Sequence, residues 1–236
     1  MKWVITPWAV LRTLLVIIGI LLVFNVISLA VSLNTDDSLI KKAASLFDLN
    51  SEDNLPTLYA TLSLFLSAFL LFYIAQSSSN PKSKKNLWLL LCFIFIFLGF
   101  DEMFSFHEVL MELIRSHFEV GGYLYFAWVI PYGIAVIVLG VLYLPFLLNL
   151  PKKIRLLFVL SGLIFVFGAL GIELFEGKHY EVNGEDFRFA VFYTIEEVLE
   201  MLGIALFIYS LLIYISSYSK KSSLTIKIRA KQTGLP

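Results

Sequence analysis

Six apolar stretches divide this chain, and each is close to or above the roughly 20 residues a helix needs to cross a ~30 Å hydrocarbon core. Hydropathy places them at about 8–33, 55–76, 87–114, 124–150, 156–177 and 187–218. Backbone in lipid has no water to bond, so spans of this kind satisfy their amides within helices. The expected fold is all-α: a polytopic membrane protein with six transmembrane helices in one bundle, forming a single domain over 1–218. Hydrophobic residues make up 59% of the chain and charged ones 15%, whereas a soluble domain averages about 25% charged. The tail 219–236 is Ser- and Lys-rich without apolar periodicity, and it reads as a disordered basic segment. Lys2 followed by an apolar run ending in Ala30-Val31-Ser32 looks like a signal peptide, but the run exceeds the usual 7–15-residue core, so it counts as a span.

The 18 basic and 18 acidic residues balance in number but not in place. Lys2, Arg12, Lys82, Lys84, Lys85, Lys152, Lys153, Arg155 and the basic tail all fall on one side of a six-span topology. Lys and Arg near span ends concentrate on the cytoplasmic side, so both termini are expected there, in a cell membrane. Every acidic residue lies in the opposite loops or within the spans. No basic domain suits nucleic acid. Cys92 is the chain's one cysteine, which excludes a disulfide framework or thiolate cluster within one chain. The connection between the first two spans has 3–4 apolar spacing over 39–47, suiting a short helix that either lies on the outer surface or stands solvated in the loop.

Acids inside apolar runs are the second constraint, because charge in lipid needs a partner. Asp101, Glu102, His107 and Glu108 follow Gly99 on the third span with no helix-breaking residue after the glycine. Glu173 and Glu176 lie on the fifth span, and Glu196, Glu197 and Glu200 on the sixth. At ~1.5 Å per residue, Asp101, Glu173 and Glu200 lie roughly 21–25 Å from the inner ends of their helices, so three helices bring carboxylates to one layer in the outer half. Asn25 and Tyr132 reach the same half. On a continuous helix Asp101, Ser105, Glu108 and Glu112 share a face, which should point into the bundle. So many like charges in low dielectric cannot all stay ionised, and they must bind protons, a metal, or water in an open cavity.

Three functions fit those residues. Carboxylates with an imidazole suit zinc, iron or manganese, and Glu176 with His179 has the Glu-x-x-His spacing of di-iron bundles, although Gly177 is placed to end the helix before His179. Such a site in a membrane hydrolase or oxidoreductase would act on an amphipathic substrate. Proton- or cation-coupled transport is the second, with Asp101, Glu173 and Glu200 as carriers. The inner halves of these spans carry no charge, which favours a one-sided pocket over a through-path. A structural or accessory subunit is the third, its acids paired by Arg115, Lys178 and Arg188.

Three segments carry a resemblance: Leu98, Asp101, Glu102, His107 and Glu108; Leu150-Pro151-Lys152-Lys153 running into Gly168–Glu173; and Glu196, Glu197, Glu200 and Met201. In this combination the chain resembles a group of uncharacterised multi-pass bacterial membrane proteins, with Leu-Gly-Phe-Asp-Glu standing where Leu-Ser-Leu-Asp-Glu is common. The resemblance implies a bacterial inner-membrane location. It implies no activity.

Overall fold

The computed structural model describes residues 6–77 and 82–218, and within them the chain is helical without strands. Lys2 and the tail 219–236 fall outside the described residues. The helices are α1 (Pro7–Asn34), α2 (Ser38–Ala44), α3 (Leu55–Ser77), α4 (Lys82–Phe104), α5 (Phe106–His117), α6 (Val129–Leu148), α7 (Lys152–Val166), α8 (Glu173–Asn183) and α9 (Phe187–Tyr218). A π-helical segment, Phe167–Ile172, joins α7 to α8 without a break in the rod. Six helices are long and apolar enough to cross a membrane: Pro7–Asn34, Leu55–Ser77, Lys85–Phe104, Val129–Leu148, Lys152–Asn183 and Phe187–Ser217. The chain is thus an integral, multi-pass membrane protein in architecture.

Burial shows which helix the others surround. In α3 and α9, 56% of the apolar window is buried, against 17–22% in the other four spans, whose remaining apolar surface is left for lipid. The long α9 packs against α1, α3, α7, α8 and the π segment, α3 packs along α4, and α6 touches α4 and α7 at the periphery. Close approach of α7 to α9 depends on small residues, as helix packing in lipid generally does. A Cβ on Gly203 would lie 2.8 Å from the Phe165 backbone nitrogen, and one on Gly168 would lie 2.9 Å from the Glu196 carbonyl oxygen.

The largest core cluster gathers Leu71, Ile74, Trp88, Phe146, Ile154, Phe158, Ile208 and Leu211 from five helices, and it contains no charged side chain. It occupies the end of the bundle where α3 finishes and α4 begins. At the opposite end the connection after α1 is pinned to the bundle. Asp37 caps α2 through the Leu39 and Ile40 amides, the Ser28 hydroxyl donates to the Ala44 carbonyl at 2.8 Å, and Phe47 stacks on Phe24 at 4.6 Å. The short helix read from 39–47 is present as α2 with a 3₁₀ turn, Ser45–Phe47.

Two helices depart from the hydropathy reading. The third apolar stretch is not one helix to residue 114: it breaks at Ser105, whose φ of 52° is left-handed, and α5 sets off in a new direction. Asp101 offsets the break by accepting the His107 amide at 2.9 Å, which supplies a cap that Ser105 does not. Counted from Lys85, twenty residues reach Phe104, and twenty residues of helix span about 30 Å, the thickness of a hydrocarbon core. The fifth stretch differs in the other direction. Gly177 does not end its helix, which runs on to Asn183, because Gly177 is buried where Tyr125 and Phe126 cross it and a Cβ would meet them at 3.1–3.3 Å.

Candidate functional site

The acids of three helices meet at the end of the bundle that carries α2 and α5. Glu173 and Glu176 enter from the first turn of α8, set by the π segment before them, and Glu196 enters from α9. A π segment widens the helix by one residue per turn and commonly marks a functional position. All three side chains are buried, at 8%, 5% and 9% exposure. One ligand oxygen from each lies within 4.8 Å of the others. Trp128, at the start of α6, donates its indole N–H to Glu173 Oε1 at 2.8 Å in a buried hydrogen bond. Glu196 contacts both Glu173 and Glu176, while Glu176 Oε2 is buried with no hydrogen-bond partner.

Glu102, Glu197 and Glu200 extend this centre. Each keeps some accessible surface, and each lies within electrostatic reach of another of the three. Asp101, 7% exposed, faces them from α4 and also meets the Tyr132 hydroxyl. His107 stands at the rim. Its Nδ1 is 3.6 Å from Asp101 Oδ1, its Nε2 is 4.0 Å from Glu52, and its ring lies 5.2 Å from that of Trp128. Glu52, His107 and Glu108 form a second, more exposed group of atoms within 4.8 Å of one another. Burial and the charge of Glu108 push Glu52 up to about 7, against the opposing pull of His107. Burial acts to lower the His107 value, but the Asp101 hydrogen bond and charge outweigh it and leave the imidazole above its ordinary range.

The remaining sequence candidates separate from this centre. The break at Ser105 divides the stripe expected on a continuous helix, leaving Asp101 buried and Glu108 and Glu112 exposed. Asn25 is a clamp: it donates to Thr194 Oγ1 at 3.0 Å, accepts the Leu49 amide at 3.0 Å, and so ties α1, α9 and the connection after α2 together. His179 shares a helix with Glu176 but turns away, with Nε2 2.7 Å from Asp186 Oδ1. Asp186 in turn accepts the Phe189 amide at the start of α9; that bond, with the His179 contact, holds its carboxyl below the usual range.

Two of the three cations expected to neutralise the acids stack on aromatic rings instead. Arg115 lies over the Tyr125 ring at 4.1 Å and Lys178 over Tyr123 at 4.3 Å. Among the described residues the Lys or Arg ion pair is Lys41 on α2 with Asp36 just before it, both exposed. Pairing of Glu173, Glu176 and Glu196 by Lys or Arg, as a purely structural role requires, is therefore not seen among the described residues.

Two members of this end were not found from sequence. Glu52 lies on a loop, with no periodicity to aim it. Trp128 had one signal, an indole donor at the head of an apolar span, which needs an acceptor once buried.

Comparison with known proteins adds a family and no activity. No curated protein and no solved structure matches the chain. A family model described as a domain of unknown function, DUF8692, matches residues 13–215. That match covers four of the six apolar helices in full, most of the first and last, and every acid of the centre, and the chain belongs to the DUF8692 family.

Proposed function

We propose that this protein binds a divalent cation at Glu173, Glu176 and Glu196, in a pocket open to one side of the membrane. The observation that carries the reading is the Glu176 Oε2 atom: buried, without a hydrogen-bond partner, and grouped with two further carboxylates. A buried anionic oxygen left bare is costly, and a cation removes that cost. Oxygens bound to one ion at about 2.0–2.6 Å lie at most about 4–5 Å apart, which matches the 4.8 Å grouping. Donors that are all carboxylate favour a hard ion such as manganese over zinc, which prefers nitrogen and sulfur. Trp128 would act as the outer partner that orients Glu173. The uncharged core at the other end of the bundle fits a one-sided pocket better than a conduction path. The positive-inside pattern puts that core toward the cytoplasm, and the acidic end outside, with both termini cytoplasmic.

Proximity of Glu176 to Glu196 favours a second reading, since two carboxyl groups this close in low dielectric do not both ionise and can hold a proton between them. In that case the acids store protons for coupled transport. Electron paramagnetic resonance of Mn²⁺ titrated into the full-length protein in detergent separates the two. The cation reading expects saturable binding that Mg²⁺ or Ca²⁺ weakens by competition and Glu196→Gln abolishes. Absence of saturable binding, together with acid-dependent proton flux in liposomes, would favour the second.

A further inference from the structure

We infer that α5 is an interfacial helix that lies along the bilayer surface at the acidic end of the bundle, with the lipid itself as its partner. Three observations converge on this placement.

Position comes first. The apolar span of α4 begins at Lys85 and is complete at Phe104, so the turn at Ser105 falls where the hydrocarbon gives way to headgroups. Twelve further residues in line would project about 18 Å into water with their apolar side chains bare. The left-handed residue redirects them instead.

The second is the pattern of exposure around α5. Phe106, Val109 and Leu113, at i, i+3 and i+7, form one stripe and are 44%, 63% and 57% exposed. Glu108, Glu112 and Arg115 occupy another face, and Leu110, Met111 and Ile114 are the half-buried side turned to the bundle. A helix with one face on protein, one polar face for water and one bare apolar face fits the boundary between lipid and water.

Continuity with the surface already facing lipid is the third. Phe65 on α3 meets Phe100 on α4 at 5.3 Å, Phe100 stacks on Phe104 at 6.1 Å, and Phe104 stacks on Phe106 at 5.8 Å. Phe100 and Phe104 are exposed on the outside of a membrane-crossing helix. The same aromatic strip thus runs around the break onto α5, so lipid covering the one covers the other. A consequence is that His107, one residue into α5, is held at membrane-surface level beside the rim of the acidic centre.

Site-directed spin labelling of the full-length protein in phosphatidylcholine–phosphatidylglycerol vesicles tests the placement. Cys92 is the chain's one cysteine and is buried, so a Cys92→Ser background carries single labels at Val109→Cys, Leu113→Cys, Glu112→Cys and Arg115→Cys. Ile137→Cys, 69% exposed in the middle of α6, gives the lipid-facing standard and reports correct insertion. Labels at 109 and 113 are expected to collide more with oxygen than with a water-soluble nickel chelate, at a depth shallower than 137, while 112 and 115 show the reverse. Equal and high chelate access at all four positions would put α5 in water and overturn the placement. Exclusion of both reagents from 109 and 113, with dipolar broadening between labels on separate copies, would overturn it in favour of a protein partner.

Discussion

Trp128 and Glu173 come from opposite ends of different spans in sequence, yet the indole Nε1 lies 2.8 Å from the carboxylate Oε1 in a fully enclosed contact. This bond fixes one oxygen of Glu173 and leaves the other carboxylates to converge on the space beside it. Trp128→Phe keeps the ring and removes the donor. The account predicts a 10–100-fold loss of Mn²⁺ affinity, the usual effect of removing a partner that orients a ligand. It also predicts destabilisation of about 1–3 kcal/mol from the bared acceptor, read as a lower denaturation midpoint of the metal-free protein.

Gly168 and Gly162 lie on the same rod but in different surroundings. A Cβ at 168 meets the Glu196 carbonyl at 2.9 Å and Leu199 Cβ at 3.0 Å, whereas one at 162 meets nothing within 4 Å. Gly168→Ala should separate the π segment from α9 and cost about 1–3 kcal/mol, with a matching loss of Mn²⁺ binding. Gly162→Ala should leave binding intact and shift stability by no more than about 1 kcal/mol, toward stabilisation. Thermal unfolding and Mn²⁺ titration of the two variants check the contrast.

Asp101 caps α5 from the preceding helix through the His107 amide. Asp101→Asn preserves an acceptor oxygen, and Asp101→Ala does not. Hydrogen exchange at the first-turn amides of α5 should accelerate roughly fivefold in the alanine variant, corresponding to about 1 kcal/mol, and should change little in the asparagine variant.

Glu52 and His107 make the rim sensitive to pH in one direction. Glu52 moves from an ordinary 4.5 up to about 7, and His107 moves above 6.5. Both bind protons more tightly in the folded chain, so the associated stability is present at low pH. It falls as pH rises from about 5 through 7 for Glu52 and past 6.5 for His107. Protection of the loop that carries Glu52, measured by hydrogen exchange, should therefore decline between pH 5 and 8. Glu52→Gln should remove the part of that decline below pH 7.

Hydropathy made the spans legible because a 20-residue apolar run has few other places to go. It also identified the acids of α8 and α9 that meet in the structure, since helical phase and depth are simple arithmetic on an unbroken rod. The break at Ser105 escaped because Met103-Phe104-Ser105-Phe106 holds neither proline nor glycine, and the cap that accompanies it comes from Asp101, on the helix before the break. The π segment escaped because its glycines mark close packing and say nothing of a wider turn. His179 looked like a ligand by spacing, but an aspartate seven residues on claims it. Glu52 arrives by a loop, where sequence periodicity has no hold.

Elemental analysis of full-length protein purified under manganese-replete conditions, wild type beside Glu176→Gln, tests the central claim most directly. Wild-type protein should carry a stoichiometric hard divalent cation that the variant loses, with the folded bundle retained. Wild-type protein carrying no bound metal under those conditions, or a variant retaining its full complement, would contradict it.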